Sequence, residues 1–266
     1  MTHWVRYTHA GETGFGILHA SRVAEHDGDL FNDPQPTGRE LDLTAVDVLT
    51  PVQPSKMVAL ANNFHGLLAK TGAAVPQEPL YFFKANSSFH PTGKPIRRPR
   101  GYAGKIIFEG ELGLVIGRAC CDVGADEALQ YLFGCTCIND VTAIEILNED
   151  PAFQQWTRCK AADTFGVLGP VVVTGLDPGT LHVRALLDGQ ERQNYAITDM
   201  VFTPAELISR ISRDMTLLPG DVIACGTNVG VGSLRPGNKI EIAIDGIGSL
   251  INVFEPEEDP SPRPPR

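Results

Sequence analysis

No stretch of this 266-residue chain approaches the roughly 18 to 20 apolar residues that a membrane-crossing helix needs. Its opening, MTHWVRYTHAGETG, has no basic segment followed by an apolar one. The reading that follows is a soluble, cytoplasmic protein without a signal peptide and without a membrane partner. Zinc and redox spacings are also missing. The six cysteines, Cys120, Cys121, Cys135, Cys137, Cys159 and Cys225, form no C-x-x-C pair, which leaves buried, reduced thiols as the expectation. Basic charge is scarce as well, with 22 Lys and Arg against 32 Asp and Glu and a formal charge of -10. Nucleic-acid binding needs clustered cations, so no nucleic-acid partner is expected. An acidic chain that takes an anionic substrate must recruit a cation or a few local Lys and Arg.

What is present is a chain long enough to bury a substantial core, with 42% hydrophobic residues and 27 glycines. Residues 1–55 read as short strands and turns (WVRYTH, GFGILHA, VAEHDGDL), a small N-terminal β subdomain. From Met57 onward MVALANN, EPLYFFKAN and EGELGLVIG are strand candidates. GADEALQYLFGCTCINDV predicts a helix from Asp126 to Leu132, then an apolar strand ending at Asp140. TPAELISRISRDM predicts an amphipathic helix, with Thr203 as N-cap, Pro204 in the first position and Glu206 completing a capping box. DVIACG, KIEIAID and SLINVF predict further strands, giving a β-rich α+β fold over residues 56–254. The last residues, 255–266, have almost nothing to bury and are expected to be disordered.

One segment does not fit a solvated strand. IIFEGELGLVIG carries Glu109 and Glu111 one residue apart inside an apolar run. Alternation in a strand puts both on one face, and like charges are buried only when a cation or a proton neutralises them. Asp140, at the end of another apolar strand, is either a helix cap or a third acid of the same cluster. Three carboxylates without a set of His or Cys ligands select an oxygen-preferring ion, magnesium, manganese or calcium, over zinc.

Several ordered motifs together resemble the fumarylacetoacetate hydrolase superfamily: PSKMVALANNF, PLYFFK, FEGELGLVIG, INDVTA, KAADTFGVLGP, LLPGDVIACGTNVGVG and PGNKIEIAIDGIGSL, across residues 45 to 254. The resemblance implies a mixed β-roll core, a homodimer, Mg2+ or Mn2+ on Glu109, Glu111 and Asp140, and a 2-oxo or enolised acid as substrate. It also implies that Lys160 reaches the bound substrate or water and that Thr227 lies near the substrate carboxylate.

Departures from the family pattern bear on the reaction. Members that hydrolyse carbon-carbon bonds usually carry N-Y-x-x-H-x-x-E after the first strand. Here Asn63 and Phe64 match, but Leu67 stands at the His position and Lys70 at the Glu position. His65 is the remaining candidate base, although in a helix it would point about 200° away from residue 67. Ile144 and Leu147 replace the customary Arg and Gln after Asp140. The pocket is therefore expected to be more apolar, or to draw polar contacts from Arg158, Gln193 or the FFKANSSFHPTG loop. Asn228 replaces the usual Pro of G-T-P. Losing a general base lowers a hydrolytic rate by about 100-fold to 10,000-fold. Decarboxylation or keto-enol isomerisation needs mainly stabilisation of an enolate. The expectation is thus a lyase or isomerase of a 2-oxo dicarboxylic acid, of the oxaloacetate or 2-hydroxyhepta-2,4-dienedioate type, with carbon-carbon hydrolysis as the alternative.

Overall fold

A computed structural model describes residues 1–255. Four antiparallel strands come first, β1 (Thr2–His9), β2 (Glu12–His19), β3 (Arg22–Asp29) and β4 (Asn32–Asp42), with a short β5 (Asp47–Val48) pairing back on β1. Ala10 and Gly11, both at positive φ, close the first hairpin as a two-residue turn. β4 was not foreseen, because Pro34, Pro36 and Gly38 interrupt it. Such residues are tolerated at a sheet edge, which is where it lies.

The remaining strands are β6 (Met57–Ala61), β7 (Leu80–Lys84), β8 (Phe89–His90), β9 (Ile106–Phe108), β10 (Gly110–Ile116), β11 (Leu132–Asp140), β12 (Thr142–Ala143) and β13 (Gly166–Thr174), then β14 (His182–Leu187), β15 (Gln190–Ala196), β16 (Val222–Ala224), β17 (Gly232–Leu234), β18 (Lys239–Ile244) and β19 (Gly248–Val253). The helices are α1 (His65–Thr71), α2 (Trp156–Lys160) and α3 (Pro204–Asp214). The main sheet runs β4-β3-β2-β1-β13-β11-β10-β16-β6-β7, so the N-terminal strands extend the core sheet through the β1–β13 pairing. Mostly antiparallel, it includes parallel pairs at β16–β6 and β13–β8. β9, β12 and β17 form a small second sheet, and β14, β15, β18 and β19 a third. No helix among the described residues is long and apolar enough to cross a membrane.

β10 lies wholly within the core, with all its residues buried. At Gly110 a side chain would come within 2.9 Å of Ile242 Cδ1 on β18, so the absence of a Cβ lets the main and third sheets close together. α3 has the predicted capping box between Thr203 and Glu206.

Two expectations are corrected. The span 126–132 holds only a 3-10 turn, Ala128–Tyr131, because Leu132 is drawn into β11 opposite Ile116. EGELGLVIG forms β10 from Gly110 on, but IIFEGELGLVIG is not one strand: Ile106–Phe108 belongs to the small sheet, and Glu109 sits at the junction before β10. All six cysteines are free, and Cys121 alone among them is exposed. Of the segment 255–266, Glu255 is held by a bond from its N–H to Ile96 O (2.9 Å), and the remainder lies outside the described residues.

Candidate metal centre and active site

Two backbone segments, the start of β10 and the end of β11, bring the acids together. Asp140 ends β11, and its N–H donates to Glu109 O (2.9 Å), while Glu109 N–H donates to Asn139 Oδ1 (3.1 Å). This clips the junction before β10 against the end of β11. Glu111, two residues on, projects into the same space. One carboxylate oxygen from each of Glu109, Glu111 and Asp140 lies within 4.8 Å of the others.

Their surroundings differ. Glu109 keeps its side chain 14% exposed, accepts from Thr142 Oγ1 (2.8 Å) and takes Lys160 Nζ at 2.8 Å. Asp140 is fully buried between two ammonium groups, Lys160 at 2.6 Å and Lys84 on its other oxygen. Burial opposes ionisation of Asp140, yet Lys160 and then Lys84 outweigh it and hold its carboxyl below the usual range. Glu111 Oε2 accepts from Gly226 N–H (2.9 Å), an approach made by a glycine at φ +90° in the loop after β16. Burial, then Asp140 and Glu109, push the Glu111 carboxyl well up.

Glu111 Oε1, although buried, has no hydrogen-bond partner. An orphaned carboxylate oxygen in the interior is costly. A divalent cation among the three acids removes that cost, so these residues fit a hard metal ion.

Above the acids lies a cavity of about 210 Å³. Its charged lining residues are Glu109 and Lys160, and its walls include Leu67, Ile107, Ile144, Leu147, Trp156 and Val231. Ile144 and Leu147 thus make the apolar wall that their replacement of polar residues led one to expect. Lys160, at the end of α2, remains an ammonium: burial works against the charge, but Asp140, Glu109 and Glu111 raise its pKa overall. Its Nζ also lies 5.2 Å from the centroid of the Phe82 ring.

Thr227 lines the same cavity. Its hydroxyl donates to Gly110 O (3.0 Å) and accepts from Gln193 Nε2 (2.8 Å). Gln193 is buried behind it, with its remaining bonds to Asn228 O (3.0 Å) and Gly110 N–H (3.0 Å). Gln193 therefore braces the Thr227 loop instead of facing the cavity. Arg158 is likewise turned elsewhere. Its side chain is 58% exposed and pairs with Glu149 at 2.8 Å, because α2 directs Lys160 inward and Arg158 to the surface. His65 starts α1 and is exposed, while Leu67 from the same helix faces the cavity.

Lys84 was missed. It is fully buried against Asp140, and burial lowers its pKa against the opposing pull of that carboxylate. A signal was available: alternation in LYFFK puts Lys84 on the same face as the buried Phe82.

The family described as fumarylacetoacetate (FAA) hydrolase, C-terminal, matches residues 56–255, and one described as Rv2993c-like, N-terminal, matches residues 2–51. Protein Rv2993c of Mycobacterium tuberculosis is 40% identical over 236 residues, 88% of this chain and 86% of that protein. The crystal structure of 2-hydroxyhepta-2,4-diene-1,7-dioate isomerase from Mycobacterium marinum superposes with a TM-score of 0.89 at 33% identity, over 97% of this chain and 100% of the other. That of 5-carboxymethyl-2-hydroxymuconate delta-isomerase from Mycobacterium smegmatis gives 0.88 at 34% identity, over 95% and 99%.

Proposed function

The chain belongs to the fumarylacetoacetate hydrolase family, and from that premise we propose that it is a divalent-metal-dependent enzyme that converts a small 2-oxo acid through its enolate, by decarboxylation or keto-enol isomerisation. The observation that carries this reading is the convergence of Glu109, Glu111 and Asp140, with one orphaned oxygen, beneath an apolar cavity whose cation is Lys160. Mg2+ or Mn2+ would be held by those three carboxylates. When bound, such an ion supplies Lewis-acid stabilisation of negative charge developing on the substrate's 2-oxo oxygen.

The protein's own residues do the rest. Lys160, kept protonated by Asp140 and Glu109, places a positive charge and a transferable proton beside the reacting carbons. The Thr227 hydroxyl, positioned by Gln193, orients the substrate carboxylate by turning its proton from Gly110 O to it. Lys84 positions Asp140 from behind. Leu67, Ile144 and Leu147 exclude water, which strengthens these interactions and disfavours hydrolysis. The substrates in the names of the two isomerases above are compatible with enolate chemistry on a 2-oxo acid scaffold.

The test uses chelator-stripped protein with manganese restored, offered oxaloacetate and acetylpyruvate separately. Carbon dioxide release from oxaloacetate above the metal-only background, with acetylpyruvate untouched, is the expected result. Acetate and pyruvate from acetylpyruvate would instead assign carbon-carbon hydrolysis and a base supplied from outside the cavity lining.

A further inference from the structure

The cavity above the acids adjoins a second, half-open one of about 630 Å³. Ala61, Asn62, Phe82, Leu147 and Trp156 line both, so a passage between them, the neck, would run among these five side chains. Beyond the neck the wall adds Pro79, Leu80, Tyr81 and Gln154. Phe82 and Trp156 stack at 5.0 Å and 18°, with Lys160 over the Phe82 ring, so an aromatic wall leads from the reacting centre into the outer chamber.

The polar groups of this chamber are engaged with one another or with neighbours. Trp156 Nε1 donates to Gln154 Oε1 (3.2 Å), Gln154 Nε2 donates to Asn148 Oδ1 (3.1 Å), and the Tyr81 hydroxyl donates to Asp214 Oδ2 (2.9 Å). Asn62 adds a neutral amide. No Lys, Arg or His is among the residues that line the outer chamber.

We infer that the substrate carries its single 2-oxo carboxylate at the inner site and sends a neutral, apolar tail, best an aryl ring, through the neck into the outer chamber. The part of the substrate beyond C4 bears no carboxylate, which separates this enzyme's substrate from long 2-oxo dicarboxylates. This inference rests on the enolate reading of the inner site. A second carboxylate in the chamber would gain no cationic partner and would cover none of the apolar wall productively, so nothing offsets its partial dehydration. An aryl tail loses only unfavourable contact with water.

Oxamates, which mimic a 2-oxo acid but cannot enolise, separate the two claims by calorimetric binding to manganese-loaded and chelated protein. Oxamate itself is expected to bind only with metal. N-phenyloxamate should bind about tenfold to a hundredfold more tightly, and N-(4-carboxyphenyl)oxamate should lose at least that gain. Leu147→Arg, which puts a cation at the neck, should reverse the order of the two aryl compounds. No metal-dependent binding of oxamate would overturn the enolate reading and the inference with it. Metal-dependent oxamate binding in which the phenyl group adds nothing, or the carboxyphenyl compound is preferred by the unmodified protein, would overturn the inference alone.

Discussion

Replacing Glu111 by Gln should change stability in opposite directions with and without metal. Without a cation, Glu111 is a fully buried carboxylate with one hydrogen bond, from Gly226, and two acids whose oxygens lie within 4.8 Å. Ionised, Glu111 would meet like charges at that spacing with a repulsion of about 3 kcal/mol at an effective dielectric constant of 20, partly offset by Lys160; its raised pKa means that it escapes this by holding a proton, at a cost to folding above the ordinary glutamate range. Gln keeps the shape and can still accept from Gly226 while removing the charge. The metal-free variant should therefore be about 1 to 3 kcal/mol more stable than the parent. Manganese at a hundred times its dissociation constant stabilises the parent by about 2.7 kcal/mol, and a variant lacking one ligand charge gains much less. The order should invert on adding metal. Urea unfolding of both proteins, in chelator and in manganese, reads all four midpoints. A variant that is less stable than the parent in chelator, yet equally stabilised by manganese, would refute the account of Glu111 as a ligand kept at electrostatic cost.

Lys84→Met leaves Asp140 with one ammonium partner in the interior, and loss of half a buried pair costs about 3 to 5 kcal/mol; a loss below 1 kcal/mol in chelator would contradict the role given to Lys84. Lys160→Met should lower kcat by about 100-fold to 10,000-fold while manganese binding, followed by electron paramagnetic resonance, is retained or tightened because a competing cation is gone. Thr203→Ala removes a capping box and should cost about 1 kcal/mol. The pH dependence at that cap has a definite sign. Thr203 backbone and side-chain bonds hold the Glu206 carboxyl below its ordinary value, so its contribution is complete above the ordinary glutamate range and is lost as pH falls through the lowered value. Stability curves of parent and Glu206→Gln should converge in acid, and parallel curves down to pH 3 would contradict the linkage.

Much of the centre was legible because charge was out of place. Two acids in an apolar run, and a third at the end of another, stand against the burial pattern, and the fold brings all three together. Ile144 and Leu147 were legible as an apolar wall for the complementary reason, that polar residues had been expected there. Direction was harder to read. Arg158 and Lys160 lie two apart on a five-residue helix, and nothing in their types says which turns inward. Gln193 offered donors suited to a substrate, but the fold spends them on Thr227 and Asn228. Lys84 pairs with Asp140, 56 residues away, a partner that its own strand does not reveal. The span 126–132 failed as a helix because strand pairing at Leu132 overrode local propensity.

The most direct measurement is exchange of the C3 protons of 2-oxobutanoate in deuterated water, followed by NMR, because protonation of the enolate by Lys160, run in reverse, exchanges them. Protein with manganese should exchange these protons well above the rate of manganese alone, and either chelation or Asp140→Asn should abolish the excess. Exchange no faster than the metal-only background, with protein shown to be folded and loaded, would contradict the enolate mechanism.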